Sequence, residues 1–221
     1  MFKLVFLLKR RPDLTVQAFH AHLREVHGPR VCEQPAVRRY VQSYTLLQGY
    51  SKSELLFDGI EELWFDSGEA RDRFVYRGTA GGAPNGDFFD ASRTVIMPVD
   101  LHVMKAGAPV EGGVKSIEFV NRRADMPIER FGRYWLEHHG PLACHIEGFR
   151  RYEQNHLCAE GYAADPAPAF DGLAVTWFDS TDAMKRTVGT PAYKATREDE
   201  SRFLRPGHLP FIITREARLK A

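Results

Sequence analysis

Two histidines sit in matching surroundings. His27-Gly28-Pro29 and His139-Gly140-Pro141 are each followed by a cysteine, Cys32 and Cys144, and then by an Arg-Arg-Tyr triplet ending on Tyr40 and Tyr152. An imidazole gains and loses a proton near neutral pH, which suits it to acid or base work. A tyrosine hydroxyl donates well to the oxygen of a developing enolate. Each also has a quieter reading. A histidine in the last turn of a helix complements the helix dipole, and a strand tyrosine packs its ring and leaves its hydroxyl in water. His139, His27, Tyr152 and Tyr40 are the candidate proton-transfer and polarising groups. Glu118 joins them because it stands where the matching segment has Phe6. A carboxyl enclosed by apolar side chains holds its proton to higher pH, whereas on a solvated face it is an ordinary surface group.

A second tier concerns substrate contact. His156 and Asn155 replace Tyr44 and Ser43 of the matching segment. Trp135, Trp177, Trp64 and Phe6 are candidate walls of an aromatic pocket, with core packing as the competing role. The paired arginines Arg10-Arg11 and Arg38-Arg39, with their copies, suit an acidic substrate less well than solvated or ion-paired positions. His20, His22 and His27, or His138, His139 and His145, suggest a metal at first sight. However, the copy has Gly132 and Tyr134 at the first two positions, and a helical His-x-His pair faces two ways. No residue stands out as a haem ligand, and no phosphate-binding glycine loop, nucleophile elbow or dinucleotide fingerprint occurs. The expected chemistry uses neither a metal nor an organic cofactor.

The elements that must position these groups come in duplicate. Residues 3–44 align without gaps on residues 115–156, with 14 identities in 42 positions. A second block follows at an offset one larger: Phe57-Asp58-Gly59 with Phe170-Asp171-Gly172, and Trp64-Phe65-Asp66-Ser67 with Trp177-Phe178-Asp179-Ser180. A tandem duplication explains both blocks. Lys3–Lys9 and Lys115–Asn121 are short and apolar, as strands are. Thr15 is a good helix N-cap, Phe19, Leu23 and Val26 recur at helical spacing, and Gly-Pro marks the helix end. Strands over Tyr40–Leu47 and Ile60–Asp66, a helix over Ser67–Arg77 and a strand over Arg93–Val103 complete the first copy. Tyr152–Cys158, Leu173–Asp179, Ser180–Val188 and Leu209–Glu216 complete the second. Gly78–Asp87 reads as a mobile loop, and its counterpart Gly189–Arg205, richer in charge, has room for a short helix.

Each copy is thus β-α-β-β-α-β, the split ferredoxin-like pattern. The expected fold is α+β: a unit at 1–105, a linker at 106–113 and a second unit at 114–221. Packed sheet to sheet, the two units form an intramolecular α+β barrel. Val5/Ile117 and Leu7/Phe119 are apolar in both copies and suit the helix-packed face. Leu4/Ser116 and Phe6/Glu118 alternate with them and are assigned to the barrel interior.

The segments "FKLVFLLKRRPDLTVQAFHAHLREVHGPRV…RRYVQSY" and "VKSIEFVNRRADMPIERFGRYWLEHHGPLA…RRYEQNH", with the later "DG…WF" block, resemble the EthD-domain family. That resemblance covers nearly all of both halves. It implies membership of the dimeric α+β barrel superfamily and work on small molecules, in aromatic or ether catabolism or polyketide tailoring. Relatives include cofactor-independent isomerases of muconolactones, decarboxylases and cyclases. The histidine matching His27 and His139 is implicated there in proton transfer.

Composition sets the outer limits. The 221 residues carry 30 Lys+Arg against 29 Asp+Glu, a net charge of +1, which argues against non-specific nucleic-acid binding. An apolar fraction of 43% and a charged fraction of 27% exclude a disordered or disulfide-scaffold chain. Leu4–Leu8, the longest apolar run near the N-terminus, is too short for a membrane span or a secretory core. Three sparse cysteines point to a reducing, cytoplasmic setting. The functional expectation is an isomerase, decarboxylase or lyase-type enzyme acting on an aromatic or polyketide-like metabolite, with one main site leaning towards His139. The alternative is a non-catalytic ligand-binding or accessory protein of an oxygenase system. One chain suffices to close the barrel, and further homodimerisation stays open.

Overall fold

The computed structural model describes residues 1–76, 88–165, 169–207 and 209–221; the Gly78–Asp87 loop lies outside them. The first copy runs β1 (Phe2–Leu8), α1 (Val16–His22), α2 (Gly28–Cys32), β2 (Arg39–Thr45), β3 (Gly59–Phe65), α3 (Gly68–Tyr76) and β4 (Val95–Lys105). The second runs β5 (Val114–Val120), α4 (Ile128–Tyr134), α5 (Gly140–Cys144), β6 (Arg151–Leu157), α6 (Ala159–Tyr162), β7 (Gly172–Phe178), α7 (Thr181–Thr187), α8 (Pro191–Glu200) and β8 (Phe211–Lys220). The strands hydrogen-bond in the order β1-β3-β2-β8-β5-β7-β6-β4, a closed antiparallel barrel, so the fold is α+β as expected. Residues 106–113 between β4 and β5 form no helix or strand. Among the described residues no helix is long and apolar enough to cross a membrane.

Two compact units divide the chain, and they do not follow sequence order. The first is Met1–Val99 with Thr214–Ala221, and the second is Asp100–Ile213. In the first, β1 pairs with β3 and with the start of β4, and β2 pairs with β3 and with the end of β8. In the second, β7 pairs with both β5 and β6. Thr15 caps α1 through a 3.1 Å bond accepted from the Ala18 amide, and Ser180 caps α7 likewise.

His-Gly-Pro does not end the first helix of either unit. Residues 23–27 and 135–139 form a π turn, and the helix then continues through Gly28–Cys32 or Gly140–Cys144. Gly28 has φ −54° and donates its amide five residues back, to Leu23 O. Gly140 does the same to Trp135 O. Proline lacks a donor and crowds the carbonyl four residues earlier, and the wider turn accommodates it without breaking the helix. Glycine is needed for close approach. Gln42 Nε2 donates to Leu23 O and Gln154 Nε2 to Trp135 O, both at 2.9 Å, drawing each helix onto its sheet.

The faces of the first strands are the reverse of those expected. Leu4, Phe6 and Leu8 pack with the helix residues Phe19 and Leu23 in one buried cluster. The opposite face carries Lys3, whose Nζ sits 2.8 Å from Glu62 and 4.8 Å from the Trp64 ring. Alternation fails as a guide because β1 is buried on both faces from Lys3 to Leu8, so both sets of side chains are apolar or paired.

The glycine requirement is testable. A Cβ on Gly140 would lie 2.8 Å from Gln154 Nε2 and 3.2 Å from Trp135 O. Gly140→Ala should therefore lower stability by roughly 1–3 kcal/mol despite alanine's better helix propensity, read as a lower Tm in thermal unfolding. An unchanged or raised Tm would show that the approach is not a constraint.

Candidate active site

The second unit holds a cavity of about 140 Å³ between its sheet and its helices. Ser116, Glu118, Tyr152 and Thr176 line it from the strands, Trp135 and His139 from the π turn, and Arg197 and Glu200 from α8. Its space comes from smaller side chains. Leu4, Leu63 and Phe74 of the first unit correspond to Ser116, Thr176 and Thr187 of the second. In the first unit Phe6 meets Phe74 edge-on at 6.3 Å inside the buried cluster. Their counterparts, Glu118 and Thr187, face open space.

His139 is 6% exposed, with its ring 4.7 Å from that of Phe203. Its Nδ1 lies 2.9 Å from Asp199 Oδ2, and Tyr134 donates to the other carboxylate oxygen at 2.6 Å. Burial lowers the His139 pKa, with Asp199 opposing. Nδ1 is thus engaged by a carboxylate that fixes the ring, which leaves Nε2 as the second nitrogen for proton exchange. Burial pushes the Glu118 carboxyl above its ordinary range, with Arg197 acting the other way. Glu200 is pushed up to about 8 by burial, against the pull of Arg197 and with the help of Glu118. Burial also raises the Tyr152 hydroxyl. The wall therefore carries an oriented imidazole and two carboxyls whose proton affinity burial raises, a set able to move a proton in either direction.

The first unit places the same residue types differently. His27 Nε2 is 3.1 Å from Glu61 Oε1, and Tyr40 donates to the same carboxylate. Burial pushes Glu61 up, but His27 and the hydrogen bonds from Tyr40 and Gln42 more than offset this, and its pKa stays below the ordinary range. Phe6 and Glu61 are cross-strand neighbours, as are Glu118 and Ala174. The inner carboxylate has thus changed strands between the copies, from β3 beside its histidine to β5 on the cavity wall. His27 and Tyr40 sit in a buried hydrogen-bonded network with Glu61 and Gln42, in which His27 Nδ1 makes no hydrogen bond among the described residues.

The remaining expected contacts divide. Trp135 lines the cavity, but His156 stacks on its far side at 4.3 Å, bonds Gln154 Oε1 at 2.9 Å and is pushed down to about 3 by burial and by His102. Trp64 and Trp177 lie on the opposite sheet face under Lys3 and Lys115, at 4.8 and 4.9 Å, and Asn155 shares the strand face of Arg151 and Glu153. Arg10 pairs with Glu54 and Asp58, Arg11 with Asp13 and Arg38 with Asp66, while Arg39 stacks over Trp64 at 4.2 Å. The Cys32 and Cys144 thiols are half-buried and donate to backbone carbonyls. Among the described residues no three of His, Cys, Asp and Glu gather as a metal site.

Sequence reasoning missed Arg197, Asp199 and Glu200. They belong to α8, in the stretch where the two copies stop aligning, and its higher charge was the available signal.

A family model for the EthD domain matches residues 11–92 and again 123–207. The chain is structurally similar to an anthrone oxidase-like protein at 11% identity and a TM-score of 0.66, covering 100% of this chain and 93% of that one. A chlorite dismutase variant from Candidatus Nitrospira defluvii matches at 12% identity and a TM-score of 0.56, covering 99% and 92%. An EthD family protein from Bacillus halodurans C-125 is 20% identical over 48% of this chain and 99% of its own, with a TM-score of 0.39. No curated protein matches. With both copies of the domain recognised across most of its length, the chain belongs to the EthD domain family.

Proposed function

We propose that the cavity of the second unit is the active site of a small-molecule enzyme. It transfers a proton on an aromatic or polyketide-like substrate, in an isomerisation, decarboxylation or lyase-type cleavage, using only side chains of this chain. One observation carries this reading: an oriented His139–Asp199 pair and the buried Glu118 carboxyl share a cavity, while in the first unit Phe6 and Phe74 pack together in the buried cluster.

His139 Nε2 takes a proton from a carbon acid, and Asp199 stabilises the imidazolium that forms. Glu118, whose proton affinity burial raises, donates to the oxygen where negative charge develops, and Tyr152 is a second donor from β6. Trp135, Phe149, Phe178 and Phe203 in the wall lower the local dielectric, which strengthens both interactions. Every described lining residue lies within 100–213, in the second unit.

Deuterium uptake from D2O into a panel of enolisable aromatic ketones and lactones, read by mass spectrometry, tests the assignment. His139→Ala should slow exchange by about 10²–10⁴-fold, whereas His27→Ala should change it less than about threefold. Equal loss in both variants, or none in His139→Ala, would overturn it. Asp199→Asn should retain binding but lose most of the rate, because the ring loses its tautomer and orientation.

Glu200 generates a separate expectation for stability. Its folded pKa of about 8 lies above the reference value of 4.5. The folded state therefore binds the proton more tightly, and its stabilising contribution is complete below 4.5 and lost as pH rises to about 8. Glu200→Gln should flatten this fall in a series of thermal melts. A wild-type Tm that rises across the same window relative to the variant would contradict the assignment.

A further inference from the structure

We infer that the cavity selects its ligand by one anionic carboxylate, which takes the Arg197 guanidinium from Glu200, making the substrate class an aromatic monocarboxylic acid. This rests on the cavity being the working site, as proposed above. Among the described residues that line it, Arg197 is the only lysine or arginine. Its Nη1 lies 2.7 Å from Glu200 Oε1, with side-chain exposures of 28% and 14%. The neighbouring charges are already spoken for. Asp199 on the same helix holds His139 and Tyr134, and the outer Arg202 lies 3.6 Å from it. Glu118 faces the pair from β5, and Tyr193 stands one turn before Arg197.

Glu200 therefore presents to Arg197 what a ligand would present, a carboxylate. It holds the place weakly, because burial and the nearby Glu118 favour its protonated form. The exchange balances. Above Glu200's transition near 8, a ligand carboxylate enters, one proton is taken from solvent onto Glu200, and the Arg197–Glu200 ion pair is replaced by an Arg197–ligand ion pair, with the net charge inside the cavity unchanged. Below it Glu200 already carries that proton, and the ligand carboxylate balances the Arg197 charge with no proton uptake; no covalent bond in the ligand changes in either range. Protonated Glu200 then supplies an O–H donor for a remaining lone pair of the bound carboxylate. A neutral amide gains none of this, since it brings no negative charge to Arg197. A protonated amine meets the Arg197 charge. The apolar part of the ligand fits against Trp135, Phe149, Phe178 and Phe203 on the same wall.

Calorimetric titration of benzoate and of benzamide, between pH 6 and 9.5 and in buffers of differing ionisation enthalpy, tests the inference. Benzoate should bind at least about tenfold more tightly than benzamide at pH 6.5. Its affinity should fall about tenfold per pH unit above Glu200's transition, with uptake approaching one proton there. Arg197→Gln should abolish the preference for the acid and leave benzamide affinity within about threefold. Arg197→Lys, which keeps the charge, should retain part of the preference, and Glu200→Gln should keep it but lose the pH fall and the proton uptake. Four outcomes overturn the inference: no benzoate binding at millimolar concentration, equal affinities in the wild type, an undiminished preference in Arg197→Gln, or a pH fall that survives Glu200→Gln. Acid selection with His139-independent exchange would sink the proton-transfer reading alone. His139-dependent exchange without acid selection would sink only this one.

Discussion

A hydrogen bond from a strand glutamine to a carbonyl in the π turn ties the first helix of each unit to its sheet. Gln154 reaches Trp135 O and Gln42 reaches Leu23 O, both at 2.9 Å, and each carbonyl also accepts the amide of the glycine five residues on. An amide buried in this way is costly to leave unpaired, so the helix is pinned in one register against β6 or β2. That pin sets where the histidine before each glycine points. It also bears on why glycine is the residue that follows: a Cβ would lie 2.8 Å from Gln154 Nε2 at Gly140 and 3.2 Å from Gln42 Nε2 at Gly28, with the Met104 or Leu219 side chain closer still.

On this shared frame the two copies solve the same packing problem in opposite ways. The first fills the space between sheet and helix with Phe6 and Phe74 and places its carboxylate beside His27, where hydrogen bonds hold it ionised. The second moves the carboxylate to Glu118, reduces its cross-strand neighbour to Ala174 and leaves the volume open. Truncating buried side chains costs roughly 2–5 kcal/mol at a poorly collapsible site. The second unit bears such a cost over several positions while keeping Trp135 and Phe131 buried, each burial worth about 1.5–3 kcal/mol.

The duplication, the order of elements and the pairing of His27 with His139 were legible in the chain, because identities at a fixed offset need no tertiary information. Thr15 and Ser180 announced their helices through local capping chemistry. The strand faces were not legible. β1 is enclosed on both sides, and Lys3 is buried as deeply as Leu4 because Glu62 and Trp64 receive its charge. His-Gly-Pro misled for a related reason: its glycine answers a close approach from a strand more than a dozen residues away, which resembles a helix stop when only neighbours are seen.

By itself the sequence determined that this protein is two β-α-β-β-α-β units in one chain, each with a histidine at the same point of its first helix. Only the tertiary structure decided that the second histidine faces a cavity, with Asp199 as its carboxylate and Arg197 and Glu200 beside it. The reason is physical. Periodicity and capping are local, so they survive in one dimension. A cavity is a missing volume shared among β5, β6, β7 and α8, and a carboxyl's proton affinity depends on what those distant segments place around it.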